Sequence, residues 1–216
     1  MSFRACRVNV NDEYFTIDTV ETQDALLDCM DGDDEPPYGL LLWESAVVLA
    51  NQLCFLGDSL RGASVLELGC GTGLPGLVCA RLGASVVQSD MFPYCISLAQ
   101  NNATLNRIAG IQYHLGNWRT WRLTDRFDLV IGADLFYDRS VHRDLLNVIT
   151  HSLKPGGRVI VTDPQRISTP AYLEMMTTAG WKISSSTEST SVIQDGTDDV
   201  TMRLIDVHNI SRSNHA

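Results

Sequence analysis

The sequence predicts an α/β fold around one mostly parallel sheet, because short apolar runs alternate with stretches of helical spacing. The apolar runs that we expect to be strands are residues 64–68, 85–89, 111–115, 127–133 and 158–162. The helical stretches between them are residues 75–82, 93–106, 138–152 and 170–179. Parallel strands need such crossover helices, which cover the sheet. We therefore expect a doubly wound sheet with helices on both faces.

The two ends of the chain depart from this alternation. Residues 6–20 alternate apolar and polar side chains, which predicts a small N-terminal hairpin. Residues 181–185 and 200–207 are strand-like runs with no helix between them, so they predict an antiparallel pair at one edge of a seven-stranded sheet. The residues from His208 onward are mostly polar, and we expect a frayed end there.

A polar, acidic stretch over residues 21–35 separates the hairpin from the rest of the chain. After it, residues 42–56 carry apolar side chains at three- and four-residue spacing, which predicts an amphipathic helix. We therefore divide the chain into an N-terminal arm, residues 1–38, and one main domain, residues 39–216.

The composition favours a soluble, cytoplasmic protein that does not bind nucleic acid. The 216 residues include 16 Lys plus Arg and 26 Asp plus Glu, a net charge of −10 that would repel a phosphate backbone. No segment approaches the roughly 20 apolar residues of a membrane helix, and the N-terminus lacks the features of a secretory signal. The six cysteines fall singly, without a Cys-x-x-Cys or a nearby pair of histidines, which indicates reduced thiols and no metal site.

A glycine-rich turn follows the first run of the main domain, with Gly69, Gly71 and Gly73 at alternate positions. In open parallel sheets, ligands bind beyond the carboxyl ends of the strands, where such a turn leads into a helix. Glycine suits the turn because it has no Cβ to block a cofactor and tolerates unusual φ angles. The segment 71–76 also fits the G-x-G-x-x-G pattern of nicotinamide-binding proteins. Taken alone, the turn leaves open S-adenosylmethionine, a nicotinamide dinucleotide and a tight turn without a ligand.

Two carboxylates favour S-adenosylmethionine among these cofactors. Glu67 precedes the turn, where its charge would oppose a pyrophosphate but suits a cofactor that carries an ammonium and a sulfonium group. Asp90 ends the second strand, where a carboxylate can accept hydrogen bonds from both ribose hydroxyls. The alternative for Asp90 is a cap on the helix that begins near Pro93.

These features, taken with residues 127–133 and 153–157, resemble the Rossmann-like class I, seven-stranded methyltransferases. Residues 39–46, Gly-Leu-Leu-Leu-Trp-Glu-Ser-Ala, and 134–137, Asp-Leu-Phe-Tyr, narrow the resemblance to the family 16 protein methyltransferases, most of which modify lysine. Within that family the sequence is most similar to the lysine methyltransferases of the electron-transfer flavoprotein beta subunit.

The resemblance implies a set of cofactor-binding residues. They are Trp43, Glu67, Gly69, Gly71, Gly73, Asp90, Met91, Asn117, Trp118 and Ala133. Asn117 stands where the family has an aspartate before the tryptophan, and its amide oxygen can still accept a hydrogen bond from the adenine amino group. For Trp43 and Trp118, the alternative is an ordinary place in the core.

Asp134 and Tyr137 are the expected catalytic residues. Transfer of a methyl group from a sulfonium is an in-line displacement, which requires a neutral amine close to the methyl group. A carboxylate at Asp134 can bind and orient the lysine of a protein substrate, and the ring of Tyr137 can form a wall with a cation–π face. The alternative is that Asp134 or Asp138 caps the helix expected to begin near residue 138.

Other functions stay open to different degrees. Methylation of nucleic-acid amino groups is disfavoured, because Leu135 and Phe136 replace the two prolines that form the stacking arrangement for a flipped base. A small-molecule N- or O-methyltransferase stays open, because it would bind the cofactor with the same part of the fold. A non-catalytic, methyltransferase-like binding module that assembles with a partner is the alternative outside enzymes. The oligomeric state is left open.

Overall fold

Seven strands form one sheet and two more form a hairpin in the computed structural model, which describes residues 2–27, 36–191 and 202–212. The strands are β1 Phe3–Val10, β2 Glu13–Val20, β3 Ser64–Leu68, β4 Ser85–Asp90, β5 Gln112–Leu115, β6 Phe127–Ala133, β7 Leu153–Asp163, β8 Trp181–Ser191 and β9 Met202–Arg212. The helices are α1 Gln23–Leu27, α2 Glu44–Cys54, α3 Leu74–Arg81, α4 Pro93–Leu105, α5 His142–Ser152 and α6 Thr169–Thr178.

The sheet confirms the predicted topology. Its strand order is β5-β4-β3-β6-β7-β9-β8, and strands β3 to β7 are mutually parallel. Strand β9 runs antiparallel to both β7 and β8, which gives the expected antiparallel pair at one edge. The chain leaves β3 toward β4 on one side and returns to β6 on the other, so a crevice opens at the carboxyl ends of these strands.

Alternate residues of the strands supply two separate apolar cores, one on each face of the sheet. Val65 and Ile131 belong to a core with side chains from α2 and α3. Their neighbours Leu66 and Val130 belong to a core with side chains from α5 and α6. Strands buried on both faces explain why the parallel strands appear as continuous apolar runs in the sequence.

The N-terminal hairpin packs on the main core. Phe15 and Ile17 are buried in the same cluster as α2 and α3. Asn102 of α4 is fully buried; its Oδ1 accepts a hydrogen bond from the backbone N–H of Asp18, and its Nδ2 donates to the carbonyl oxygen of Thr72. The hairpin therefore supports the glycine turn through α4, while a domain boundary at residue 38 stays a prediction.

Three details differ from the sequence-based expectations. The predicted frayed end was wrong for residues 208–212, because β9 continues to Arg212 and is paired with β7 as far as Ser211 and with β8 as far as Arg212, while residues 213–216 lie outside the described part of the chain. The predicted loop over residues 21–35 contains the short helix α1, which buries Leu26, and residues 28–35 of that loop lie outside the described part of the chain. Helix α5 begins at His142, not near residue 138, because Asp138 caps a separate 3-10 turn, Arg139–Val141.

None of the described helices is long and apolar enough to span a membrane.

Candidate active site

A cavity of about 550 Å³ opens at the carboxyl ends of β3, β4 and β6. Its size is that of a typical small-molecule site. The structure brings together at this cavity all but one of the residues expected from the sequence to bind cofactor or substrate. They are Trp43, Glu67, Gly69, Gly71, Asp90, Met91, Asn117, Trp118, Ala133, Asp134 and Tyr137.

The glycine turn forms the floor of the cavity. Gly69 has φ of +60°, and a Cβ there would lie 3.0 Å from Leu135 Cδ2 and 3.9 Å from Trp118 Cζ2, which both line the cavity. A Cβ at Gly71 would lie 2.6 Å from the carbonyl oxygen of Gly39, so the segment before α2 crosses directly over the turn. Gly73, the remaining expected residue, faces the interior near Gln88 and does not form part of the cavity lining.

Glu67 is buried beneath the turn and is held by neutral donors. Its Oε2 accepts hydrogen bonds from Gln88 Nε2 at 2.7 Å and from the backbone N–H of Gly76 at 3.1 Å. Burial raises the pKa of Glu67 to about 8, although these two hydrogen bonds oppose the rise. The carboxyl group therefore stabilises the first turn of α3 while it borders the cavity.

Asp90 lies at the end of β4 with both carboxylate oxygens engaged. Oδ2 accepts from the backbone N–H of Gly71 and Oδ1 from that of Phe92, each at 3.0 Å. Burial raises the pKa of Asp90. Because Phe92 is the N-cap residue of α4, Asp90 also supports the start of that helix, although it is not the cap residue itself. The carboxylate borders the cavity, where its oxygens can accept hydrogen bonds from hydroxyl donors.

The region expected to hold adenine contains Asn117 and the two tryptophans. Asn117 Oδ1 accepts from the backbone N–H of Arg119 at 2.9 Å, which caps the 3-10 turn Trp118–Thr120 and leaves one lone pair of that oxygen for an amino group. Trp43 donates its indole N–H to the carbonyl oxygen of Tyr38 at 2.8 Å. Both tryptophans are half-buried and border the cavity, so each combines packing with an accessible ring face.

Asp134 borders the cavity directly after β6, which lies on the other side of β3 from β4. It has a left-handed backbone, with φ of +56°, and its side chain is 9% exposed. Arg166 forms a bidentate ion pair with Asp134, with Nε 2.9 Å from Oδ1 and Nη2 2.5 Å from Oδ2. The sequence-based interpretation placed Asp134 alone against a lysine, whereas the structure shows it already bound to a guanidinium.

Arg166 and Arg203 are cavity residues that the sequence interpretation missed. Arg166 follows β7 and lies 32 positions from Asp134. Arg203 lies on β9, and its Nη1 is 3.4 Å from Glu44 Oε2, at the start of α2. The one available signal was the position of Arg166 just after the strand next to β6, because the carboxyl ends of adjacent parallel strands meet at one edge of the sheet.

Tyr137 lies at the mouth of the cavity with 46% of its surface exposed. The neighbouring Asp138 accepts hydrogen bonds from the backbone N–H and the hydroxyl of Ser140, at 2.8 and 2.7 Å. These bonds lower the pKa of Asp138. Asp138 is therefore the cap residue here, and Asp134 is not.

The residues present fit S-adenosylmethionine. The missing Cβ at Gly69 leaves space between Leu135 and Trp118, and Asp90 offers two acceptors to ribose hydroxyls. Glu67 and Asp90 border the cavity, and neutral donors hold both, which suits a cofactor that carries a cationic sulfonium and an ammonium group.

Comparison with known proteins agrees with this fit. A family model described as lysine methyltransferase matches residues 23–179. S-adenosylmethionine is the cofactor of such class I methyltransferases, which confirms the cofactor expected from the glycine turn. The likeness to the electron-transfer flavoprotein group in particular stays a prediction.

Individual relatives are named for different substrates. The chain is 30% identical over 128 residues to the histone-arginine methyltransferase METTL23 of Mus musculus, which covers 56% of this chain and 51% of that protein. It is 36% identical over 118 residues to the protein N-lysine methyltransferase METTL21A of the same species, covering 51% of this chain and 54% of that protein. The chain thus spans about half the length of these curated relatives.

Among solved structures, precorrin-6y C5,15-methyltransferase from Geobacter metallireducens GS-15 superposes with a TM-score of 0.63. The match covers 78% of this chain and 87% of that chain at 10% sequence identity. At this identity the likeness shows the shared fold alone.

Proposed function

Because the chain belongs to the lysine methyltransferase family, we propose that it transfers a methyl group from S-adenosylmethionine to the side-chain nitrogen of a lysine in a protein substrate. The observation that carries this proposal is that Asp134 and Tyr137, which follow β6, border the same cavity as Asp90, which ends β4, with β3 between these two strands. An acceptor nitrogen bound at Asp134 would therefore share that cavity with the cofactor.

When bound, S-adenosylmethionine supplies a methyl carbon that forms a bond to the lone pair of the acceptor nitrogen as its bond to sulfur breaks with both electrons passing to sulfur. Asp134 accepts a hydrogen bond from the amine and aims its lone pair. Tyr137 forms one wall at the mouth of the site, where an aromatic ring favours a cationic or methylated nitrogen. The proton that the lysine ammonium loses before transfer can pass to water, since the mouth is open at Tyr137.

The test is to incubate the purified chain with tritiated S-adenosylmethionine and a methylation-deficient cell lysate. Mass spectrometry of the labelled species then identifies the acceptor. We expect label on lysine side chains of a protein, and the same lysate incubated with Asp134→Ala serves as the control for background labelling.

Other outcomes would overturn the proposal in distinct ways. Label found solely in small molecules would identify a small-molecule methyltransferase, and label in RNA would identify a nucleic-acid methyltransferase. Calorimetry that detects no binding at millimolar S-adenosylmethionine would identify a non-catalytic binding module.

A further inference from the structure

The carboxylate at the mouth of the cavity is already bound by a guanidinium of the same chain. The Arg166 side chain meets both oxygens of Asp134 through two adjacent N–H groups, at 2.9 and 2.5 Å. This arrangement is the one by which a planar guanidinium recognises a carboxylate most strongly. Any substrate group that approaches Asp134 therefore meets an occupied pair of oxygens.

The loop after β7 is built to hold Arg166 in this position. Asp163, the last residue of β7, is fully buried, and its Oδ1 accepts a hydrogen bond from the backbone N–H of Arg166 at 2.8 Å. Gln165 between them takes a left-handed conformation, with φ of +60°. A side-chain acceptor closing this turn and a left-handed residue are local devices that fix the chain direction. The side chain of Arg166 is thus directed at Asp134 by its own loop, and 39% of it stays exposed.

We propose that Arg166 is a specificity-determining residue that reserves Asp134 for a substrate with a single acceptor nitrogen, a lysine amine, and excludes an arginine guanidinium. This inference rests on the proposed function and assigns its choice of lysine over arginine to one residue, a choice that matters because one mouse relative is named for arginine and another for lysine. A substrate guanidinium binds a carboxylate most strongly through two parallel N–H groups, one to each oxygen, and Arg166 already occupies that side of Asp134. The remaining lone pairs of the two oxygens point away from each other, so either one can accept from a single lysine nitrogen but the two cannot receive the parallel pair of a second guanidinium.

The positive charge of Arg166 also favours a lysine substrate over an arginine substrate. A carboxylate without a partner would stabilise the protonated lysine and raise its pKa, which opposes formation of the nucleophilic neutral amine. The positive charge of Arg166 compensates Asp134, so a lysine that approaches the pair loses its proton more readily. An arginine substrate gains nothing from this compensation, because its guanidinium stays protonated in any case.

The experiment compares which amino acid receives the label. The unaltered chain, Arg166→Met and Arg166→Lys are each incubated with tritiated S-adenosylmethionine and the methylation-deficient lysate. The labelled protein is hydrolysed to amino acids, and methyl-lysine and methyl-arginine are separated and counted. Arg61→Met is the matched control, because Arg61 is also paired with a carboxylate, that of Asp58, but its side chain is 75% exposed and does not line the cavity.

We expect methyl-lysine to dominate in the unaltered chain and in Arg61→Met. Arg166→Met should raise the ratio of methyl-arginine to methyl-lysine by about tenfold, the effect of one charge-assisted hydrogen bond. Arg166→Lys keeps the charge but frees one oxygen of Asp134, so it should raise this ratio as well. It should also keep the pH dependence of lysine methylation, which Arg166→Met should shift toward higher pH.

The outcomes separate this inference from the proposed function. Absence of methyl-lysine with the unaltered chain would refute the proposed function. Methyl-lysine with the unaltered chain and an unchanged ratio in both Arg166 variants would refute the role of Arg166 alone. Calorimetric binding of S-adenosylmethionine by each variant verifies that it is folded, and if Arg166→Met does not bind, the ratio measured with Arg166→Lys decides.

Discussion

The carboxylates on the two sides of the cavity have different kinds of partners. On the cofactor side, Glu67 and Asp90 are held by backbone N–H groups and by an amide, and burial raises the pKa of each. In the described part of the chain, neither forms an ion pair. On the substrate side, Asp134 is paired with Arg166. A cationic cofactor that binds beside Glu67 and Asp90 would favour their charged forms, whereas the carboxylate of Asp134 is already compensated by Arg166 and suits an acceptor that must become neutral.

The largest expected effect lies on the substrate side. Asp134→Ala should lower kcat/KM by about 1,000-fold, because it removes the acceptor that aims the amine and leaves the positive charge of Arg166 at the mouth. The affinity for S-adenosylmethionine should change by less than about threefold, since the hydrogen bonds that hold Glu67 and Asp90 do not involve Asp134. Steady-state kinetics and calorimetry on the same preparation measure the two quantities.

The control for Asp134→Ala is Asp58→Ala, which removes a carboxylate whose side chain is 94% exposed. It should leave both quantities unchanged. Full turnover by Asp134→Ala would contradict the assigned role of Asp134, and an equal loss of cofactor affinity would show that the two sides are not independent.

The next effect concerns stability on the cofactor side. Glu67 has a pKa of about 8 in the folded chain against an ordinary value of 4.5, so the folded state holds this proton more tightly than the unfolded state. Its contribution to stability is therefore fully present below the ordinary pKa and is lost as the pH rises through the folded value. From about pH 5 to about pH 8, the unfolding free energy of the unaltered chain should fall by about 3 kcal/mol relative to Glu67→Gln.

Urea denaturation at both pH values measures this difference. Glu174→Gln is the matched control, because Glu174 is exposed on α6. Its unfolding free energy should follow that of the unaltered chain at both pH values. If the stabilities of Glu67→Gln and the unaltered chain changed in parallel with pH, the raised pKa of Glu67 would be refuted.

The sequence predicted the cofactor side better than the substrate side, for a physical reason. The glycine turn, Glu67 and Asp90 are each set by the strand that precedes them, and their spacing carries the signal. Arg166 and Arg203 reach the cavity from β7 and β9, through the order of strands in the sheet, and nothing in their immediate sequence marks them. The pairing of Asp134 therefore could not be inferred from its own segment.

The fold shows the same dependence on local signals. Periodicity predicted the five parallel strands and their helices, because apolar runs and helical spacing are properties of a single segment. The extent of β9 was missed because the end of this strand has a polar sequence, Val207-His-Asn-Ile-Ser-Arg212. Its backbone is held by β7 on one side and β8 on the other, which is a tertiary constraint that overrides composition.

Asp90→Ala should produce the smallest of these effects, and it tests the difference between the two sides of the cavity by a substitution on the cofactor side. Loss of two hydrogen bonds from ribose hydroxyls should weaken binding of S-adenosylmethionine by about 100-fold, as measured by calorimetry. Asp90→Asn keeps one acceptor oxygen and should weaken binding by about tenfold. At saturating cofactor, both variants should keep kcat within about threefold, because Asp134 and Arg166 are untouched. If Asp90→Ala lowered kcat at saturation as far as Asp134→Ala does, the cavity would act as one unit, and the separation of a cofactor side with carboxylates held by neutral donors from a substrate side with an ion pair would be wrong.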